Sequence, residues 1–178
     1  MEENPERNIV NKVVVVTGSS RGIGANIVKT LAKKGYRVIL NYNKSENYAQ
    51  NVQKELINVD IFKADVSKKA EAVSLINFAI EKYGKIDVLI NNAGISQSKL
   101  FTDLTDEDWN NIINSNLNSA FFCSREAAKN MIHNKSGLII NISSIWGITG
   151  ASCEVAYSTS KAALNGFTKA LAKELGPS

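Results

Sequence analysis

Histidine is nearly absent from this chain of 178 residues, which holds one, and cysteine is almost as scarce, with two. Cys123 and Cys153 belong to no recognisable motif, so they build no disulfide framework and fit a reducing, cytoplasmic setting. His133 lies beside Asn134-Lys135-Ser136 and reads as a solvated residue, and no base or metal-ligand partner accompanies Cys153. No metal site is therefore expected. Long apolar runs are missing as well: stretches such as Val13–Val16 fall far below the roughly 20 residues that a membrane span needs. Residues Met1–Glu6 are acidic and carry no apolar segment, so no secretory signal is expected. No block of five or more like charges and no platform of interleaved aromatics occurs, which argues against a nucleic-acid surface. The net charge of +4 reads as a solvated surface, with an anionic ligand or an acidic partner protein as the alternative.

What the chain does have is a regular alternation. Apolar residues make up 44% and charged residues 21%, the balance of a soluble globular protein. The β-branched run Val13-Val14-Val15-Val16 suits a strand buried on both faces, over about residues 12–17. Further strands are predicted over 37–41, 59–64, 86–90 and 137–143. Between them, helical spacing predicts helices over 24–34, 45–55, 69–83 and 109–131, and a last one over 157–175 stopped by Gly176-Pro177. Strands alternating with helices argue right-handed βαβ units and a doubly wound parallel sheet, an α/β class. No repeat or linker interrupts the pattern, so residues 1–178 read as one domain.

The first strand ends in Thr17-Gly18-Ser19-Ser20-Arg21-Gly22-Ile23-Gly24. Glycines directly after a buried strand and opening a helix allow positive φ and close approach of a pyrophosphate to the backbone. The helix N-terminus beyond them offers free N–H groups and a positive dipole end. Far along the chain, Tyr157 and Lys161 stand four residues apart and so share one helix face. A phenol that donates a proton, with an ammonium beside it to stabilise the phenolate, suits reduction of a carbonyl. Ser144, thirteen residues before Tyr157, is placed in sequence to hydrogen-bond the carbonyl oxygen. Cys123 reads as a small core residue, Cys153 lies on the loop before Tyr157, and Trp146 reads equally as a substrate contact or as packing.

The glycine spacing, Gly-x3-Gly-x-Gly, together with Asn91-Asn92-Ala93-Gly94, Asn116, Ser144 and Tyr157-x3-Lys161, resembles the short-chain dehydrogenase/reductase family over essentially the whole chain. The resemblance implies a Rossmann-like sheet of order 3-2-1-4-5 and a catalytic set of Asn116, Ser144, Tyr157 and Lys161, with Asn116 holding a water of a proton relay. It assigns Gly18, Ser20, Arg21, Gly22, Ile23, Gly24, Asn41, Tyr42, Lys44, Asp65, Val66, Asn91, Ala93, Gly94, Tyr157 and Lys161 to a dinucleotide. Within that set Asp65 and Val66 line the adenine pocket, Asn91 supports the adenosine ribose and Lys161 binds the nicotinamide ribose. The acid that NAD-preferring sites place after the second strand is missing; its position falls near Tyr42. Arg21 and Lys44 instead suit a 2′-phosphate, so NADP(H) is expected over NAD(H).

Within the family the pattern is most like the 3-oxoacyl-[acyl-carrier-protein] reductases, which implies a 3-oxoacyl thioester as substrate and acyl carrier protein as partner. Lys135 matches one basic docking position; the second falls near uncharged Ser178. Ser144-Ile145-Trp146-Gly147 and Gly150-Ala151-Ser152-Cys153-Glu154-Val155 also resemble a sub-branch that reduces the 5-aminopentanone modification on elongation factor P. A sugar or alcohol dehydrogenase is a further alternative. The helices over 109–131 and 157–175 resemble those through which relatives form homodimers and homotetramers. Ending at Leu175-Gly176-Pro177-Ser178, the chain lacks the sixth and seventh strands and the substrate lid of the family pattern. That leaves a non-catalytic cofactor-binding protein as an alternative of another class, and the fifth strand as an expected sheet edge.

Overall fold

The computed structural model describes residues 11–178, so the acidic segment Met1–Glu6 lies outside the described residues. Five strands, β1 (Val13–Val16), β2 (Arg37–Tyr42), β3 (Val59–Lys63), β4 (Val88–Asn91) and β5 (Leu138–Asn141), form one sheet of order β3-β2-β1-β4-β5. Every neighbouring pair is parallel. The helices are α1 (Gly22–Lys33), α2 (Glu46–Lys54), α3 (Lys69–Tyr83), α4 (Asp106–Ile113), α5 (Ser119–His133), the short α6 (Trp146–Thr149) and α7 (Val155–Leu175).

β1 shows why the sheet is buried on both sides. Its four valines are at most 1% exposed, and because side chains alternate across a strand they feed two separate cores. Val13 and Val15 pack with Leu75, Ile76 and Met131 beneath α3 and α5, whereas Val14 and Val16 pack with Val28, Leu40 and Val52 beneath α1 and α2. A run of β-branched residues is the cheapest way to satisfy both faces at once. On β5, the edge of the described sheet, Leu138 is 53% and Ile140 38% exposed.

Strand order runs one way from β1 to β2 and the other way from β1 to β4. The crevice at the carboxyl ends of β1 and β4 is therefore the place such a sheet offers to a ligand. Thr17 ties the two strand ends together: its hydroxyl accepts from the backbone N–H groups of Asn92 and Ala93, both at 3.0 Å.

Three elements differ from the sequence reading. The expected single helix over 109–131 starts earlier, at Asp106, behind a capping box in which Thr105 and Asp108 bond each other's backbone N–H. It is also not one α-helix. Residues 114–118 widen into a π-turn, in which the Ser119 N–H reaches back five residues to the Asn114 carbonyl. The last helix begins at Val155, and α6 is a short helical turn that apolar spacing did not announce.

Candidate active site

The glycine loop is held in shape from below. Ser19 is fully buried, its hydroxyl donating to the Val16 carbonyl at 2.7 Å and its N–H to the Asn41 carbonyl at 2.8 Å. The Gly18 N–H donates to Asn41 Oδ1 at 3.0 Å, and Asn41 Nδ2 donates onward to the carbonyls of Ala64 (3.0 Å) and Phe62 (3.3 Å). Gly18 has φ +58°, and a Cβ there would lie 2.7 Å from Ala93 Cα. Glycine is required on both counts. Arg21 precedes α1 with an extended backbone and no side chain caps the helix, so the first N–H groups of α1 remain open to an anion. Arg21 and Lys44 are exposed, as is Ile23, and neither cation forms an ion pair among the described residues.

On the other side of the crevice, α7 carries Tyr157 and Lys161. Lys161 is 5% exposed. Its Nζ donates to the Ile142 carbonyl at 2.8 Å, lies 5.7 Å from the centre of the Tyr157 ring, and sits near Gly94. Burial pushes the Lys161 ammonium below the ordinary lysine value, because a desolvated charge is disfavoured. Ser144 is half-buried just before α6, and its Oγ accepts from the Trp146 N–H at 3.2 Å. α6 can lie directly on α7 because its second residue is Gly147, whose Cβ would come within 2.8 Å of the Lys161 backbone. Trp146 is 42% exposed.

Asn116, in the π-turn, is 1% exposed. Its Oδ1 accepts from the Ile95 N–H at 2.7 Å, and its Nδ2 donates to the Ile95 carbonyl at 2.9 Å and to Ser160 Oγ at 3.0 Å. The Ser160 hydroxyl donates to the Tyr157 carbonyl at 2.7 Å. Asn116 thus joins the segment after β4 to α7 at Ser160, the residue next to Lys161.

Some sequence-predicted residues are committed inside the fold. Asn91 donates from Nδ2 to Ser124 Oγ (2.9 Å) and Asn141 Oδ1 (2.8 Å), and its carbonyl accepts from the Ile142 N–H at 2.9 Å. At 5% exposure it braces β4 against β5 and α5, while its Oδ1 is buried with no hydrogen-bond partner among the described residues. Val66 belongs to the core beneath α3, and Asp65 Oδ1 accepts from the Ser67 hydroxyl at 2.6 Å. Tyr42 is 6% exposed. Cys123 is fully buried, its thiol pushed up to about 12 by desolvation. His133 is exposed and Cys153 half-buried. Residues the sequence reading did not place are Ser160, Gly147, the Asn92 side chain, whose Nδ2 donates to the carbonyls of Thr17 and Gly18 at 3.0 and 2.9 Å, and the Ile142 carbonyl. For Ser160 the available signal was its position three residues beyond Tyr157; a backbone carbonyl leaves none.

The anion-accepting loop follows β1, the Ser144 hydroxyl follows β5, and α7 brings the Tyr157 phenol and the desolvated Lys161 ammonium to the segments after β4 and β5. Comparison with known proteins agrees with this arrangement. The chain is 40% identical over 174 residues to an uncharacterized oxidoreductase, YmfI, of Bacillus subtilis, covering 95% of this chain and 71% of that one. It is 40% identical over 168 residues to a 3-oxoacyl-[acyl-carrier-protein] reductase of Synechocystis, covering 92% and 68%. A crystal structure of a protein from Sinorhizobium meliloti, described as a "putative short-chain alcohol dehydrogenase", superposes with a TM-score of 0.89 at 32% identity, over 94% of this chain and 68% of that one. The family model described as short chain dehydrogenase matches residues 12–178, and the chain belongs to that family of oxidoreductases.

Proposed function

We propose that the chain is an NADPH-dependent reductase of a 3-oxoacyl thioester carried on acyl carrier protein. The observation that carries the reductase reading is the buried Lys161 ammonium beside the Tyr157 ring on α7. The specific substrate is supported by relatives named 3-oxoacyl-[acyl-carrier-protein] reductase.

The residues present fit a dinucleotide phosphate. Gly22 has φ +59° and open space where a Cβ would stand, no side chain caps the N-terminus of α1, and Arg21 and Lys44 are exposed and form no ion pair among the described residues. Arg21 and Lys44 suit a 2′-phosphate, Arg21 with a bidentate fork. When bound, the nicotinamide supplies a hydride to the carbonyl carbon.

The chain's own groups handle the oxygen. Ser144 Oγ holds the carbonyl oxygen and polarises it, and Tyr157 gives its phenolic proton to the alkoxide as charge develops there. Lys161 stabilises the phenolate that remains. Its bond to the Ile142 carbonyl uses one of three N–H donors, which leaves the others for ribose hydroxyls. Asn116, bonded to Ile95 and Ser160, fixes where α7 stands relative to the segment after β4.

Steady-state reduction of acetoacetyl thioesters against simple ketones, with NADPH and NADH, tests the reading. Tyr157→Phe should abolish turnover while NADPH still binds, and Arg21→Ala should lower the NADPH-to-NADH preference. Retained turnover in the first variant refutes the proton donor; an unchanged preference in the second refutes the 2′-phosphate contact.

A further inference from the structure

The four-residue interval between Tyr157 and Lys161 continues one step further along α7, to Asn165, which stands on the same side of the helix. Asparagine suits the interior of a helix of 21 residues poorly, because its amide competes for backbone groups. Here the amide bonds outside α7. Asn165 is half-buried, and its Nδ2 donates to the Gly147 carbonyl at 3.2 Å.

Gly147 belongs to the short turn that opens at Ser144. Within that turn the carbonyls of Ser144, Ile145 and Trp146 accept from the N–H groups of Gly147 (3.0 Å), Ile148 (2.9 Å) and Gly150 (3.0 Å). Gly150, at φ +71°, ends the series, and the Gly147 carbonyl takes its donor from α7 instead. Two more contacts seat the turn on the same helix. Ser143 Oγ donates to the Lys161 carbonyl at 3.3 Å, and a Cβ on Gly147 would come within 2.8 Å of the Lys161 carbonyl carbon. Gly147 thus receives the Asn165 amide on its carbonyl and gives its N–H to the Ser144 carbonyl. Ser144 Oγ accepts from the next N–H along, that of Trp146, at 3.2 Å. Accepting there leaves the hydroxyl proton free to be donated.

We propose that Asn165 is a positioning residue for the reduction. It fixes the turn that carries Ser144, and with it the place of the Ser144 hydroxyl relative to Tyr157 on α7. This inference rests on the reductase reading and adds a residue that acts through Ser144. A donor aimed at a developing alkoxide tolerates little displacement, and a shift of about 1 Å can cost about a hundredfold in rate.

Asn165→Leu keeps the branched shape, removes the donor and suits a helix better than asparagine does. With NADPH and acetoacetyl-N-acetylcysteamine, kcat should fall about ten- to a hundredfold, while KM and the Kd for NADPH change less than about twofold. In a Ser144→Ala background the same substitution should change single-turnover rates by less than about twofold, because the group it positions is gone. A residue that only packs α6 on α7 would instead lower the rate equally with and without Ser144. Asn165→Asp, equal in size and without a donor when ionised, should repeat the pattern and serves if Asn165→Leu does not fold. An unchanged kcat, or an equal fall in both backgrounds, overturns the proposal. Absence of wild-type turnover with every ketone overturns the reductase reading instead. Asn165 is then judged by hydrogen exchange of the Trp146 and Gly147 amides that bond Ser144, as it is if Ser144→Ala shows no measurable turnover. Faster exchange in Asn165→Leu supports the clamp, and unchanged exchange refutes it.

Discussion

Removing the Asn116 side chain should loosen the join between the segment after β4 and α7, and the size of the effect follows from its three hydrogen bonds. Each bond contributes about 0.5–1.5 kcal/mol net. The two to Ile95 lie toward the lower end, because Ile95 is 41% exposed and water can replace the lost partner. The third lies toward the upper end: Ser160 is fully buried, so its hydroxyl loses an incoming donor that water cannot replace. Asn116→Ala should therefore cost about 2–3 kcal/mol, a fall in Tm of about 5–10 °C for a chain of this length. Ser160→Ala breaks the same Asn116–Ser160 bond and, in addition, the bond to the Tyr157 carbonyl at 2.7 Å. Urea denaturation of both single variants and the double variant closes a cycle whose coupling energy should be about 1 kcal/mol. A loss below about 0.5 kcal/mol for Asn116→Ala, or a coupling of zero, would refute the view that this asparagine fixes the position of α7.

Gly18→Ala forces alanine to φ +58° with its Cβ 2.7 Å from Ala93 Cα, a conformation costing about 1–2 kcal/mol before the clash. The loop should shift and the Kd for NADPH rise by about tenfold or more at unchanged circular dichroism; an unchanged fluorescence titration counts against the cradle. Lys161→Met tests the burial of the ammonium. Burial lowers the folded pKa of Lys161 below the ordinary value of 10.5, so between those two values the unfolded chain binds more protons and stability rises with pH. Below the folded value the charged, buried lysine carries its full penalty. Denaturation profiles should show wild type gaining on Lys161→Met as pH climbs toward 10.5, and a pH-independent difference rejects the effect.

The sheet was legible because its determinants are local. Four consecutive valines have one good use, a strand buried on both faces, and the order of strands and helices then leaves few topologies. The registers Val14 to Val38 and Val14 to Val88 realise that reading. Residues of the glycine loop and the Tyr157–Lys161 pair were legible because spacing alone puts them on one turn or one helix face. The π-turn at 114–118 was not, since it depends on Asn116 finding Ile95 and Ser160, partners 21 and 44 residues away in sequence. The Asn91 Nδ2 bonds to Ser124 and Asn141 were hidden for the same reason, since both partners are distant in sequence. Periodicity records which face of an element is apolar, and it carries no information about which distant backbone group a buried amide will meet.

Hydrogen-bonding capacity divides the candidate residues into two groups that the motif pattern does not separate. Thr17, Ser19, Asn41 and Asn116 are at most 2% exposed and direct their polar atoms to backbone or side chains of the chain itself. A ligand could take these side-chain atoms only by breaking bonds that shape the loop and hold α7. Arg21 and Lys44 are exposed, Tyr157 and Ser144 half-buried, and Lys161 has unused donors at the bottom of the crevice. Their hydrogen-bonding capacity is not fully taken up among the described residues.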